Sequence, residues 1–113
     1  MEEIDFTKKI SSIEFDYNLA IDKASKLEDV AEKLKMCAAR MENVLDASKC
    51  FWKGDAANEY FRRSQQCPDE LKKASDNYYK TAATIRNIAK RLYDMEMRAV
   101  NIAKERTFRN DSY

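Results

Sequence analysis

Apolar residues recur in alternating steps of four and three through the first half of the chain: Phe6, Ile10, Ile13, Tyr17, Ala20, Ala24, Leu27, Ala31, Leu34, Ala38, Met41, Leu45, Ser48, Trp52. A 3.5-residue period held this long predicts one helix with a heptad seam. Its alanine-rich middle predicts close approach by a neighbouring helix. Two starts fit the residues. The helix begins at Asp5, or at Ser11, where Ser11 and Glu14 form a capping box and Ile10 and Phe15 a hydrophobic staple. The second half carries its own seam: Ala57, Tyr60, Ser64, Cys67, Leu71, Ala74, Tyr78, Thr81, Ile85, Ile88, Leu92, Met95, Ala99, Ile102. Pro68 lies inside that pattern, removes a backbone donor and crowds the preceding turn, which predicts a kink near residues 64–68 rather than a domain boundary.

Between the seams stands FWKGDAANEYF, residues 51–61, with the only Trp (Trp52) and the only Gly (Gly54). Gly54 suits the left-handed position that ends a helix, and Asp55 suits the cap of the next. Two arms of about 45 residues, roughly 65 Å each, must then fold back antiparallel. The expected fold is all-α: one domain over 1–113, helices at about 8–51 and 55–106, residues 1–5 and 107–113 frayed. Charge favours that fold-back. Residues 1–32 carry a balance of −5 and residues 72–109 a balance of +6, so an antiparallel hairpin lays opposite charges side by side.

A lone hairpin leaves apolar side chains over. Val30, Cys37, Val44 and Phe51 form a second row on the first helix, and Phe61, Ala82, Ala89 and Ala103 one on the second. Leaving such rows wet forgoes roughly 1.5–3 kcal/mol per large side chain. This predicts pairing with another hairpin, as a homodimer or heterodimer, into a four-helix bundle with Val30, Cys37, Val44, Phe51 and Phe61 at the interface.

Composition narrows the function. One Gly and one Pro in 113 residues leave few turns, and 44% hydrophobic with 36% charged residues suits amphipathic helices. A net charge of +1 gives no general field for nucleic acid. No apolar run is long enough to span a membrane. The start, MEEIDFTKKI, lacks the basic and apolar stretches of a secretory leader, so any export is expected without a cleavable signal peptide. Cys37, Cys50 and Cys67 show no CxxC spacing and there is no His, so no metal site is expected and the cysteines read as small buried hydrophobes. No convergent nucleophile, base or Gly-rich loop points to catalysis or to a cofactor.

Trp52, Lys53 and Gly54, a Trp-x-Gly at mid-chain between long heptad arms, resemble the WXG / ESAT-six-like family. The likeness covers nearly the whole chain. It implies a helical hairpin that pairs into a four-helix bundle with a similar hairpin or with the helical N-terminal region of a larger secreted protein. It also implies export from the cytoplasm by a type VII (ESX) system, driven by a membrane ATPase. In that reading Trp52 and Gly54 form half of a composite export signal beside the partner. The stricter second half, Tyr followed four positions later by an acid, is absent. Leu92, Glu96, Ala99 and Ala103 match a looser form, hydrophobic-xxx-acid-xx-hydrophobic-xxx-hydrophobic. Two other readings stand beside it: Trp52 as a plain hydrophobic lid on the hairpin end, and the chain as an intracellular coiled-coil adaptor unrelated to secretion.

Overall fold

A computed structural model describes residues 6–111 of the chain. Three helices account for nearly all of them: α1 (Phe6–Lys49), α2 (Asp55–Ser64) and α3 (Gln66–Asp111). There is no strand among the described residues, and the fold is all-α. The chain divides into two compact units, one of Ser25–Ala82 and one of the flanking residues, up to Ala24 and from Ala83 onward.

The Ser25–Ala82 unit is a helical hairpin. Its register is antiparallel, since residues 31–32 of α1 meet residues 75–79 of α3, whereas Met41, further along α1, meets the earlier Cys67. Tyr79 donates to Glu32 (2.7 Å), the Ser75 hydroxyl to the Ala31 carbonyl (2.7 Å), and the Cys67 thiol approaches the Met41 sulfur (3.9 Å). Its inner row on α1 is Ala31, Ala38 and Leu45, spaced by seven, all buried. The facing arms contribute Ala57, Phe61, Pro68, Ser75 and Ala82. In the other unit the two helical segments are also antiparallel: the Tyr17 and Tyr93 rings meet at a tilt, 5.0 Å between centres, and the Lys104 ammonium lies over the Phe6 ring. Ile13, Ala24, Ala89 and Val100 are buried there.

The seam of α1 is the one its periodicity predicts. Every expected position from Phe6 to Ser48 is buried or half-buried, and only Trp52, beyond the helix, is exposed. In the second arm Ala57 is buried and Ser64, Leu71, Ala74 and Ile85 are half-buried, as expected, but the rest of the seam is corrected by one position. Phe61, Ala82 and Ala89, expected on an outer row, are inside, and Ala103 is half-buried. Tyr60, Cys67, Tyr78, Thr81, Ile88, Leu92, Met95, Ala99 and Ile102, expected inside, are exposed. The cause is size. In the Ser25–Ala82 unit the alanine row of α1 lets the arms approach closely, and only a small-residue row can face it. Pro68, Ser75 and Ala82 supply that row, whereas a Tyr-and-Cys seam would hold the axes towards the wide end of the usual 8–10 Å. Ser75 is nearly inaccessible to water, and its hydrogen bond to the backbone of α1 satisfies the one polar group the row brings in.

Element ends also differ from expectation. Ser11 lies inside α1, so the capping-box start is wrong; a start at Asp5, and fraying of 1–5 and 112–113, fall outside the described residues. Helix α1 stops at Lys49 rather than 51, tightening through Cys50 N–H to Ala47 O (3.2 Å) and Phe51 N–H to Ser48 O (3.3 Å). Helix α3 continues to Asp111 rather than about 106, so residues 107–111 are helical. The interruption expected near 64–68 falls at Gln65, whose backbone stays close to helical (φ −64°, ψ −24°). Pro68 sits in the first turn of α3, where its missing donor costs little, and its ring is buried.

Candidate functional site

The turn between α1 and α2 is built around Gly54. Its φ of 116° and ψ of 176° lie in a region that only glycine occupies readily. A Cβ placed on it meets no atom within 4 Å, so the demand comes from the backbone and not from crowding. Gly54 is the N-cap of α2, not the C-cap of α1, and its carbonyl accepts the Asn58 N–H at 2.9 Å. Asp55 is likewise not the cap. It is the first residue of α2, where its charge faces the positive end of the helix.

Trp52 precedes this glycine outside any helix. Its ring lies 5.1 Å from Tyr60 and 5.6 Å from Phe61, and those two rings are 5.8 Å apart. Phe61, only 6% exposed, anchors the trio in a core shared with Leu45 and Ala57. Trp52 covers that core from outside and remains 42% exposed. Each tilted or edge-to-face pair adds about 0.5–1.5 kcal/mol beyond burial. The indole lines an open cleft of about 730 Å³ with Lys49, Lys53, Arg62 and Gln65. The Lys49 ammonium also sits 5.7 Å from the Phe61 ring centre. Arg62 and Arg63 both hold Glu59, at 2.6 and 2.8 Å, and their hydrogen bonds keep its carboxyl below the usual range.

A second, more apolar groove of about 440 Å³ runs along the same unit, lined chiefly by Cys37, Met41, Val44, Tyr60 and Cys67, with Arg40 at its edge. Its floor is Leu45. Val44 is 65% exposed, and Val30 and Phe51 are exposed as well. The first-helix row expected at an interface is thus open to solvent, while Phe61, assigned to that interface, belongs to the core. Tyr60 takes its place on the outer surface. Sequence reasoning missed Tyr60 and Cys67 here because both were placed in the inner seam. The signal was present as a heptad of small and apolar residues, Phe61, Pro68, Ser75, Ala82 and Ala89.

The cysteines correct another expectation. Cys37, Cys50 and Cys67 are free and exposed, not buried. Cys37 and Cys67 each stand one residue before a buried seam position, Ala38 and Pro68, and so flank the seam; Cys50 lies in the turn. Among the described residues no group of three His, Cys, Asp or Glu is placed to hold a metal ion.

Leu92, Glu96 and Ala99 lie on α3 in the other unit and are exposed, with Ala103 half-buried. Leu92 and Glu96 border a small pocket of about 150 Å³ beside Tyr17 and Tyr93. No helix among the described residues is long and apolar enough to cross a membrane. Comparison with known proteins finds no matching family model, no matching curated protein and no matching solved structure.

Proposed function

We propose that this chain is a non-enzymatic interaction protein that works by helix pairing and is exported by a type VII secretion system, in the manner of the WXG / ESAT-six-like proteins it resembles. The observation that carries the proposal is the turn. Trp52-Lys53-Gly54 lies outside any helix between two helical arms, and the indole is held against Tyr60 and Phe61 with nearly half its surface in water. A side chain positioned in this way is available to a partner without being loose. The exposed row of Val30, Cys37, Val44 and Phe51 supplies the apolar surface for pairing, and Tyr60 extends it on the second arm. The partner is a second hairpin, of the same or a similar chain, or the helical N-terminal region of a larger secreted protein. The pair then engages the membrane ATPase of the secretion machine, with Leu92, Glu96, Ala99 and Ala103 as the further part of the signal.

One observation favours a second reading, an intracellular coiled-coil adaptor. None of Tyr60, Tyr78, Tyr79 and Tyr93 has an acid four positions on, so the stricter signal is missing. Export separates the two. In a host carrying a type VII system, wild-type protein should accumulate in the culture supernatant, while Trp52→Ala stays in the cell lysate with its helicity by circular dichroism intact. A folded Trp52→Ala protein secreted as well as wild type would refute the signal, and retention of both would favour the adaptor.

A further inference from the structure

Three sulfur-bearing side chains, Cys37, Met41 and Cys67, line the apolar groove of the Ser25–Ala82 unit. Cys37 and Met41 are one turn apart on α1, and Cys67 comes from α3 across the groove. The Cys67 thiol sulfur is 3.9 Å from the Met41 sulfur. Two sulfurs bound to a shared three-coordinate metal, with bonds of about 2.3 Å, stand about 4 Å apart. Cys37 faces the same space, because Ala38 and Pro68 are the buried residues of the two arms and Cys37 and Cys67 precede them by one position each.

We propose that Cys37, Met41 and Cys67 form a binding site for monovalent copper. The donor set chooses the metal. Two thiolates and a thioether are soft ligands, which favour Cu(I). Three-coordination suits that ion, whereas a structural zinc site takes four ligands, usually including more thiolates or imidazoles. The other groove-lining residues are Val44, Leu45, Tyr60, Ser64 and Arg40, with no carboxylate or imidazole among them to attract a harder ion. Two thiolates with one Cu(I) carry a net charge of −1, and Arg40 at the groove supplies the opposite charge. On binding, each thiol releases its proton to solvent and its sulfur donates a lone pair to the metal; the copper enters already reduced, and no electron is transferred. Both thiols are exposed, so an entry path exists. The site joins α1 to α3, so occupancy should stabilise the fold. It does not rest on the secretion reading, since it uses neither Trp52 nor Gly54, although Cys37, Val44 and Tyr60 of the same groove belong to the surface proposed for pairing.

The test is an anaerobic titration of the reduced full-length protein with Cu(I) against a chromophoric Cu(I) chelator, with thermal unfolding read in parallel. The expected result is one equivalent per chain, a raised Tm, and affinity that increases with pH. Cys37→Ser and Cys67→Ser should each weaken binding by at least about tenfold, Met41→Leu should weaken it less, and Cys50→Ser should leave it unchanged. Circular dichroism of each variant keeps loss of fold apart from loss of site. No retained copper, a stoichiometry of one per two chains, or binding that depends equally on Cys50 would overturn the proposal. So would one equivalent of Zn(II) held as tightly as Cu(I).

Discussion

Gly54→Ala should cost about 1 kcal/mol or more, although the added methyl group would enter open space. The positive φ alone sets that penalty, so denaturant unfolding should show a lower midpoint with unchanged slope. The two bulky aromatics beside it should behave unequally. Phe61→Ala empties a buried site between Leu45 and Ala57 and should cost roughly 3–5 kcal/mol. Trp52→Ala removes a half-exposed cover from that site and should cost well under about 3 kcal/mol. Comparing their urea midpoints checks the assignment of one as anchor and the other as presented surface. Equal losses would make Trp52 a plain lid. Glu42 offers a pH-dependent test at the same scale. It accepts hydrogen bonds from Lys72 and Gln65, and the bond from Lys72 is the main reason its carboxyl titrates below the usual range. A depressed carboxyl stabilises the fold above its unfolded pKa and loses that contribution as pH falls through its folded one. Glu42→Gln should therefore lower the unfolding midpoint near neutral pH, and the difference from wild type should fade in acid.

At the scale of the elements, the seam between the arms is the most demanding feature. Ser75 reaches the Ala31 carbonyl because both arms present small residues there. Ala31→Leu should force the arms apart and cost about 1–3 kcal/mol by overpacking, read as a lowered Tm. Ser75→Ala should cost only about 1 kcal/mol, the net worth of one hydrogen bond. The same feature explains what was legible in the sequence. A single period runs through α1 with no competing row of comparable quality, so its seam could be read directly. The second arm carries two adjacent rows, one of Tyr, Cys, Ile, Leu and Met and one of Phe, Pro, Ser and Ala. Hydrophobicity alone favours the first. The choice between them depends on the size of the residues facing them, a tertiary constraint that a count of apolar positions does not contain. Gly54 was legible as a turn but not as an N-cap, because φ and ψ depend on where α1 frays, and α1 ends two residues earlier than its pattern. Nothing local linked Cys67 to Cys37 and Met41; the three line one groove only once the arms are folded.

At the scale of the whole molecule, the account rests on association. Val44, on the face that α1 turns away from its own core, and Phe51, in the turn just beyond it, are 65% and 80% exposed, and Tyr60 and Met36 are exposed in the same unit. The hydrophobic effect favours covering such side chains, at roughly 1.5–3 kcal/mol for each large one fully buried. A partner hairpin with a similar row is the simplest cover, and in the proposed function the mid-chain Trp-x-Gly turn would then mark the assembled pair for export. Sedimentation velocity at micromolar concentration, on wild type and on Val44→Glu combined with Phe51→Glu, tests this most directly. The account predicts a dimer for wild type, or a one-to-one complex once its partner hairpin is supplied, and a monomer of reduced helicity for the double variant. A wild-type protein that sediments as a thermally stable monomer and takes up no helical partner would contradict it.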